Sequence, residues 1–246
     1  MGHAFRKKMV SLVALGAAVP LLMTPPASQA APAAALVPVT SVDYEMDEPD
    51  GATLMLDSSG NGVDGIIDQD GLDTGVTYNG ATGYFWPRRG PNEPPASPER
   101  VIQIADNPLL DPGSDTFTIE IRYRTKEKFG NITQKGQSAT RGGQWKIQNP
   151  MGIPSCLFKG SRGQAATRSK VALNDNEWHV LTCVREPTRV TMYVDGVFMS
   201  RKIGSTGVIN NTIPMTIGGK INCNQVTITC DYFSGMIDYV RISRGL

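Results

Sequence analysis

Residues 176–198, NEWHVLTCVREPTRVTMYVDGVF, contain two runs rich in β-branched and aromatic residues, with a proline-bearing turn between them. Such runs favour β-strands, because these side chains pack well on a pleated surface. An Asp-Gly pair at 195–196 closes a second tight turn, since glycine tolerates the positive φ that such turns require. The stretch therefore predicts a three-stranded antiparallel meander, with strands near 177–185, 189–194 and 197–202.

The first strand of this meander carries apolar residues on both of its faces. Alternation along a strand places Trp178 and Val180 on one face and Leu181 and Cys183 on the other. A strand with one side open to water would have one polar face. We therefore expect the meander to lie in the centre of a packed sheet rather than at its edge.

The same stretch has a Trp-His-x-Leu strand, a short turn and a strand ending Tyr-Val-Asp-Gly, and it resembles the laminin G-like group of the concanavalin A-like lectin/glucanase superfamily. Two further segments carry the resemblance, the turn DSSGNG at 57–62 and the strand FSGMIDYVRI at 233–242. The resemblance implies an all-β fold, a two-sheet antiparallel β-sandwich (jelly roll), over residues 41–246. It does not decide the function, since this fold hosts lectins, glycosidases, lyases and adhesion modules.

The rest of the chain has the periodicity of a β protein. About a dozen short runs favour strands, and no 12-residue stretch of the sequence carries the 3.6-residue period of an amphipathic helix. The clearest alternation lies in residues 116–125. The side chains expected in the core from this strand and a later one are Phe117, Ile119, Ile121, Tyr123, Trp145 and Ile147.

The amino-terminal residues have the pattern of a secretory signal peptide. A basic segment at 6–8 precedes an apolar run at 9–23, and a small-x-small cleavage motif follows at 28–30. A membrane anchor is the alternative, but the run is short and contains a proline. We therefore expect a signal peptide at 1–30, a flexible lead-in at 31–40, and a secreted, extracellular protein with no membrane span after cleavage.

Charge excludes one class of partner. The chain has 24 basic and 23 acidic residues, and loss of the three basic residues at 6–8 leaves 21 against 23, a net charge of −2. A nucleic-acid-binding protein needs a strongly basic face, so we expect no nucleic-acid partner. Cleavage also removes His3, which leaves His179 as the single histidine of the mature chain.

Four cysteines, an even number in an exported chain, predict disulfides. Three pairings are open. Cys223 and Cys230 lie close together around a Thr-rich hairpin, so we expect them to bridge each other, which leaves Cys156 to meet Cys183. The Cys-x-x-Cys spacing of a zinc or redox site is absent from the sequence.

Catalytic signals are weak. Glycosidases of this fold place carboxylates at alternating strand positions, but the strand at 116–125 has Glu120 followed by Arg122 and Arg124. His179 lies inside a central strand, and no Ser or Cys motif predicts a nucleophile beside it. We therefore expect no catalytic residues and no cleavage of glycosidic bonds.

The resemblance also implies one structural calcium ion. Relatives often hold calcium on the convex face with an acidic residue of the closing strand and backbone carbonyls, and the matching residue here is Asp238. The alternative for Asp238 is an aspartate that bonds a turn. The segment from Asp57 to Asp68 superficially matches a calcium loop, but strands flank it instead of helices, so it predicts a simple turn.

The binding surface is expected on the outer side of the alternating strands. The polar side chains next to the predicted core residues are Glu120, Arg122, Arg124, Gln144, Lys146 and Gln148. The resemblance places them on the concave groove, where amides and guanidinium groups would favour an acidic glycan. Trp86 is predicted either to add an aromatic stacking rim or to be buried, and the alternative for the whole surface is a solvated face with cross-strand ion pairs.

These features predict a non-catalytic, lectin-like module whose partner is an extracellular glycan or glycoprotein. One alternative is an adhesion or structural module with a protein partner. Another is a polysaccharide hydrolase or lyase.

Overall fold

The computed structural model describes residues 38–49, 51–67, 77–78, 83–88, 101–220 and 232–245, together with Met1. The chain separates into two units between residues 35 and 36, and apart from Met1 the described residues belong to the second. The predicted signal peptide, Cys223 and Cys230 lie outside the described residues. Among the described residues, no helix is long and apolar enough to span a membrane.

Strands make up most of the described part of the chain. In chain order they are β1 (Val39–Tyr44), β2 (Leu54–Met55), β3 (Gly65–Ile66), β4 (Thr77–Tyr78), β5 (Tyr84–Trp86), β6 (Ile102–Ile104), β7 (Phe117–Arg124), β8 (Asn131–Lys135), β9 (Gln144–Gln148), β10 (Ser155–Gly160), β11 (Gly163–Arg168), β12 (His179–Glu186), β13 (Arg189–Val194), β14 (Val197–Ile203), β15 (Met215–Ile217) and β16 (Gly235–Arg244). The described helices are two 3-10 turns, Pro108–Leu110 and Pro150–Gly152.

The strands form two antiparallel sheets, which confirms the predicted β-sandwich. Sheet A has the order β14-β13-β12-β7-β16-β5-β4, and β1 also pairs with β16. Sheet B has the order β11-β10-β9-β8-β15-β6-β3-β2. Because β1 begins at Val39, the end of the predicted lead-in at 31–40 is already part of sheet A.

The predicted three-stranded meander is present as β12, β13 and β14, and the bounds of its strands agree with the prediction within two residues. Its position is partly different from the one expected. Strands β12 and β13 are central, but β14 is at the edge of the order in sheet A. The exposure of Val197, Phe198 and Ile203 on β14 agrees with this edge position.

The core lies between the two sheets. All six side chains predicted to face it, from Phe117 to Ile147, are fully buried. The rings of Phe117 from sheet A and Trp145 from sheet B meet with centroids 6.0 Å apart. The indole of Trp145 donates to the carbonyl oxygen of Leu110 at 2.9 Å, so its polar N–H is satisfied inside the core.

A disulfide joins the sheets through the core. Cys156 on β10 and Cys183 on β12 are both fully buried and bonded, as predicted. For the separation of 27 residues, the chain-entropy model gives a stabilisation of about 3–4 kcal/mol. The pairing of Cys223 with Cys230 stays a prediction.

The amino-terminal turn at 57–62 is organised by the carboxylate of Asp57. Its Oδ1 accepts the backbone N–H groups of Asp43 and Ser59 at 3.0 Å each, and its Oδ2 accepts that of Val63 at 3.1 Å. Burial alone would raise the pKa of Asp57, but these hydrogen bonds outweigh it and lower the pKa. The carboxylate of Asp57 therefore accepts the N–H donors that hold the predicted turn together.

We expect Asp57→Ala to destabilise the protein by about 2 kcal/mol at pH 7, because buried N–H donors lose a charged acceptor. Since the folded-state pKa is lowered, the contribution is fully present above about pH 4 and is lost as the pH falls through the folded value. Urea unfolding at several pH values tests this. Asp47→Ala, at an exposed aspartate, is the control, and a pH-independent Asp57→Ala effect would contradict the assignment.

Candidate functional site

The outward side of sheet A carries a continuous set of charged and aromatic side chains, which we call the polar face. It is built by β7, β16, β1, the residue that follows β1 and the residue that precedes β12. Its members are Asp43, Glu45, Glu120, Arg122, Arg124, Trp178, Asp238, Tyr239 and Arg241. Side chains alternate along β7. Every second one, from Phe117 to Tyr123, is buried in the core, so the side chains between them point outward and form part of the polar face.

Two guanidinium groups stack on one indole at the start of β12. The guanidinium carbons of Arg122 and Arg124 lie 4.5 and 5.0 Å from the centroid of the Trp178 ring. This is the distance range of cation–π attraction. Arg124 also donates from Nη2 to the sulfur of Met236 at 2.9 Å, and sulfur is a weak acceptor. Among the described residues Arg124 pairs with no carboxylate.

Glu120 occupies the middle of the polar face. Its Oε1 accepts the hydroxyl of Tyr239 at 3.0 Å, and its Oε2 accepts the hydroxyl of Thr182 at 3.4 Å. Burial, together with the hydrogen bond to Glu120 and its charge, raises the pKa of Tyr239 to about 12. Tyr239 therefore keeps its proton at neutral pH and acts as a donor to the carboxylate.

Arg241 joins β16 to β1. Its Nε lies 2.8 Å from Asp43 Oδ1, its Nη2 lies 2.5 Å from Glu45 Oε1, and its guanidinium carbon lies 4.2 Å from the ring centroid of Tyr239. Burial would lower the pKa of Arg241, but the two carboxylates outweigh it and raise the pKa. Two carboxylates and the ring of Tyr239 therefore hold the guanidinium in one orientation.

Asp238 pairs with an arginine. The register of β16 against β7 shifts between Ile237 and Tyr239, and this irregularity turns the Asp238 carboxylate toward Arg122, whose Nη1 lies at 2.6 Å. A calcium site needs several oxygen ligands and no cation in contact with the carboxylate. No group of three or more metal-ligating side chains is found among the described residues. The Asp238 carboxylate is thus engaged by Arg122, and the calcium ion stays a prediction.

The sequence-predicted surface is divided between the two sheets. Glu120, Arg122 and Arg124 belong to the polar face of sheet A, whereas the segment 144–148 is β9 of sheet B. Since the inner faces pack together, the outward side chains of the two sheets point in opposite directions. The prediction of one groove that also contains Gln144, Lys146 and Gln148 is therefore wrong, and Gln144 is itself buried.

Trp86 is not a stacking rim. It is 1% exposed, and its ring packs edge-on against Phe233 with centroids 5.9 Å apart. The aromatic rings of the polar face are those of Trp178 and Tyr239, which the sequence analysis did not assign to the site. The alternation of the β12 segment was a usable signal for Trp178. Tyr239 gave none, because the register shift of β16 cannot be seen in the sequence.

His179 has both ring nitrogens satisfied by carboxylates. Its Nδ1 lies 2.9 Å from Asp195 Oδ2, and its Nε2 lies 3.2 Å from Asp175 Oδ1. Burial would lower the pKa of His179, but the hydrogen bonds and charges of Asp195 and Asp175 outweigh it and raise the pKa. As predicted, this histidine is a locally satisfied strand residue, and it ties the loop before β12 to the turn after β13.

A family described as the concanavalin A-like lectin/glucanases superfamily has a model that matches residues 98–245. Among solved structures, domain 4 of AbnA, an extracellular arabinanase from Geobacillus stearothermophilus, is 16% identical with a TM-score of 0.58, and the match covers 85% of this chain and 93% of that one. That domain was solved in complex with arabinotriose.

Two toxin domains are also similar. The binding domain of Paraclostridial Mosquitocidal Protein 1 is 16% identical with a TM-score of 0.54, and the match covers 85% of this chain and 48% of that one. The binding domain of Botulinum neurotoxin DC, in complex with SialylT, is 12% identical with a TM-score of 0.55, with 84% and 46% covered. This chain thus spans about half the length of these toxin domains. At such identities the likeness shows the fold.

We expect His179→Gln to lower the free energy of unfolding by roughly 0.5–1 kcal/mol at pH 5.5, because the ion pairs are partly exposed. Since the pKa of His179 is raised, its contribution is fully present below the usual value near 6.5 and is lost as the pH rises through the folded value. Denaturant unfolding of wild type and variant from pH 5 to 9 measures this. A difference that grows with pH would contradict it.

We expect Asp238→Asn to destabilise the protein by about 1 kcal/mol or less, since it leaves Arg122 without its carboxylate. Calcium should not distinguish the two proteins. The shift in melting temperature between chelator and millimolar calcium is therefore predicted to be the same for wild type and Asp238→Asn. Calcium stabilisation seen only in the wild type would support a calcium site at Asp238.

Proposed function

Because the chain belongs to the concanavalin A-like lectin/glucanases superfamily, we propose that it is a non-catalytic module that binds carbohydrate on the polar face of sheet A. The observation that carries this proposal is the group formed by Trp178 and Arg124. An arginine held on an indole, with only a sulfur acceptor among the described residues, has donors left for a stronger acceptor. Sugar hydroxyls and carboxylates are such acceptors.

The rest of the polar face supports the same role. Binding costs less when the contact groups are already ordered in the free protein. Arg122 is held by Asp238 and by the indole, and Arg241 is held by two carboxylates and a phenol ring. These groups present guanidinium edges beside aromatic rings, which is a combination suited to a hydroxyl-rich ligand. Forks of N–H donors also suit carboxylates, so an acidic glycan fits best.

The carboxylates of the polar face support binding rather than hydrolysis. Retaining and inverting glycosidases need two carboxyl groups that flank the scissile bond. Glu120 accepts from Tyr239 and Thr182, and the remaining acids of the face accept from Arg122 or Arg241. A carboxylate engaged by an arginine is poorly placed to protonate a leaving group. The face therefore offers recognition without an acid–base pair.

Similar structures and the disulfide agree with an extracellular glycan or glycoprotein as partner. The arabinanase domain forms a complex with arabinotriose, so one protein of this fold accommodates a saccharide. The disulfide between Cys156 and Cys183 requires an oxidising compartment, which fits the predicted export. An extracellular location is therefore part of the proposal.

A protein partner is the second candidate, and a different surface favours it. Val197, Phe198 and Ile203 on the edge strand β14 are all largely exposed. Exposed apolar residues on an edge strand are a common feature of protein interfaces. This candidate would be favoured over the polar face if the wild type captured a protein partner and bound no glycan, and if Phe198→Ser abolished that capture.

The test is calorimetric titration of an acidic polysaccharide into wild type and Arg124→Gln. We expect at least about a tenfold loss of affinity, since a hydrogen bond to a charged group is worth about 1.5–3 kcal/mol. Trp178→Ala should give a similar loss. Arg168→Gln, at an exposed arginine of β11, is the matched control and should bind like wild type.

Circular dichroism verifies that each variant is folded. Equal affinity of wild type and Arg124→Gln would move the site elsewhere. Release of sugar products from a polysaccharide panel, abolished by Glu120→Gln, would replace the binding role with an enzymatic one.

A further inference from the structure

A second concave feature lies at the end of the sandwich where β7 begins and β16 ends. It is a cleft of about 310 Å³ between the loop 136–143, the turn 160–163 and the loop 204–214. We propose that this cleft, separate from the polar face, binds a sugar residue that carries an anionic group, a carboxylate or a sulfate. The site is independent of the proposed function, since none of its residues belongs to the polar face.

Three of the eight residues that line the cleft, Gly142, Gly143 and Gly160, are glycines that lie against main-chain atoms. A Cβ atom at Gly142 would overlap the carbonyl oxygen of Asn210, and one at Gly160 would overlap that of Val208. The three segments therefore touch main chain to main chain, and only glycine fits at these contacts. These glycines therefore let the three segments that border the cleft pack closely together.

Two buried cations hold the walls in place. Arg185, which is 1% exposed, donates from Nε to Thr206 Oγ1 at 3.0 Å and from Nη2 to the carbonyl of Gly207. Lys135, which is fully buried, donates to the carbonyl of Asn211, and the amide of Asn211 donates to the carbonyl of Gly143 at 3.1 Å. Burying a cation is costly unless it is well bonded, so these contacts are strongly enforced. The cleft is therefore preformed.

Polar groups at the cleft have hydrogen-bond capacity left for a ligand. Lys159 donates one ammonium hydrogen to the carbonyl of Ser138 at 2.7 Å and has two more. The hydroxyl oxygen of Ser161 accepts the backbone N–H of Val208 at 3.0 Å, so its own hydrogen remains a donor. Ammonium and hydroxyl donors from two sides of the cleft suit a ligand with both an anionic group and hydroxyls.

The charge around the cleft is positive. The segments 136–143, 159–163 and 204–214 contain Arg141, Lys159 and Arg162 but no aspartate or glutamate. Neither arginine forms an ion pair with a described residue, and Arg162 lies beside Gly207. Asp111 lies behind Asn211, and its carboxylate is taken by Lys135 at 2.8 Å. An anionic ligand therefore meets unpaired cations on the rim.

The size of the cleft favours a sugar residue over a bare anion. Its volume is at the lower end of the range of ligand pockets, about 300–1,000 Å³, so it has room for more than a phosphate or sulfate ion. Its lining also includes the hydroxyl groups of Thr140 and Ser161, which pair with the ring hydroxyls of a sugar.

The test uses three probes on wild type and Lys159→Gln: trigalacturonate, a sulfated disaccharide and inorganic phosphate, with maltotriose as the neutral comparison. We expect trigalacturonate or the sulfated disaccharide to bind the cleft of wild type, more weakly at higher salt, and to bind the cleft of Lys159→Gln at least about tenfold more weakly. The amide signals of Gly142, Gly143 and Gly160 should shift on binding in two-dimensional NMR. The probe that binds shows whether the anionic group is a carboxylate or a sulfate.

Lys128→Gln, at an exposed lysine in the loop after β7, is the matched control at the opposite end of the sandwich and should bind like wild type. In Arg124→Gln, the titration of the Gly142, Gly143 and Gly160 amide signals with these probes should match that of wild type, which separates this cleft from the polar face. If Lys159→Gln does not fold, Ser161→Ala takes its place in the test, and a smaller loss of affinity is expected for that variant. Equal binding of maltotriose, equal affinity in Lys159→Gln, or phosphate as the only bound probe would each overturn the proposal.

Discussion

The packing of sheet A against sheet B is the constraint on which the rest of this structure depends. A strand has only two faces, and once one face is buried against the opposite sheet, every second side chain is committed to the other. The buried disulfide between Cys156 and Cys183 crosses this interface and fixes which strands lie opposite each other. The position of each functional side chain follows, either outward on one of two opposite surfaces or at an end of the sandwich.

Charge is distributed according to this constraint. On the outward side of sheet A, arginines are stacked on rings and paired with carboxylates, as Arg241 is with Tyr239 and Asp43. Such pairs at a half-exposed surface contribute little to stability, so their effect is to hold the groups in one arrangement. Inside the protein, Arg185 and Lys135 are worth more as anchors, because a buried cation that lost its acceptors would carry a large penalty. They hold the end loops that the regular strands leave unsupported.

The same constraint explains which parts of the predicted site were wrong. Glu120 and Gln144 have the same local pattern, a polar residue beside a core residue, yet they lie on different sheets. Local alternation says that a side chain points outward, but it does not say from which sheet. The calcium ion predicted at Asp238 is untested, but the partner of this carboxylate was not predictable, because the register shift next to it brings Arg122 within 2.6 Å. A residue on the neighbouring strand, far away in the sequence, decided its chemistry.

The amino-acid sequence by itself determined the strands, their inward and outward faces, the turn at Asp57 and the sandwich class, because strand period, turn chemistry and hydrophobicity act between near neighbours in the chain. Phe117 to Tyr123 and the meander after His179 were predictable on these grounds. The tertiary structure alone decided the order of strands, the burial of Trp86, the stacking of Arg122 and Arg124 on Trp178, and the glycine-walled cleft. These features join segments far apart in sequence, and such contacts depend on how strands pair and sheets pack, which no local pattern specifies.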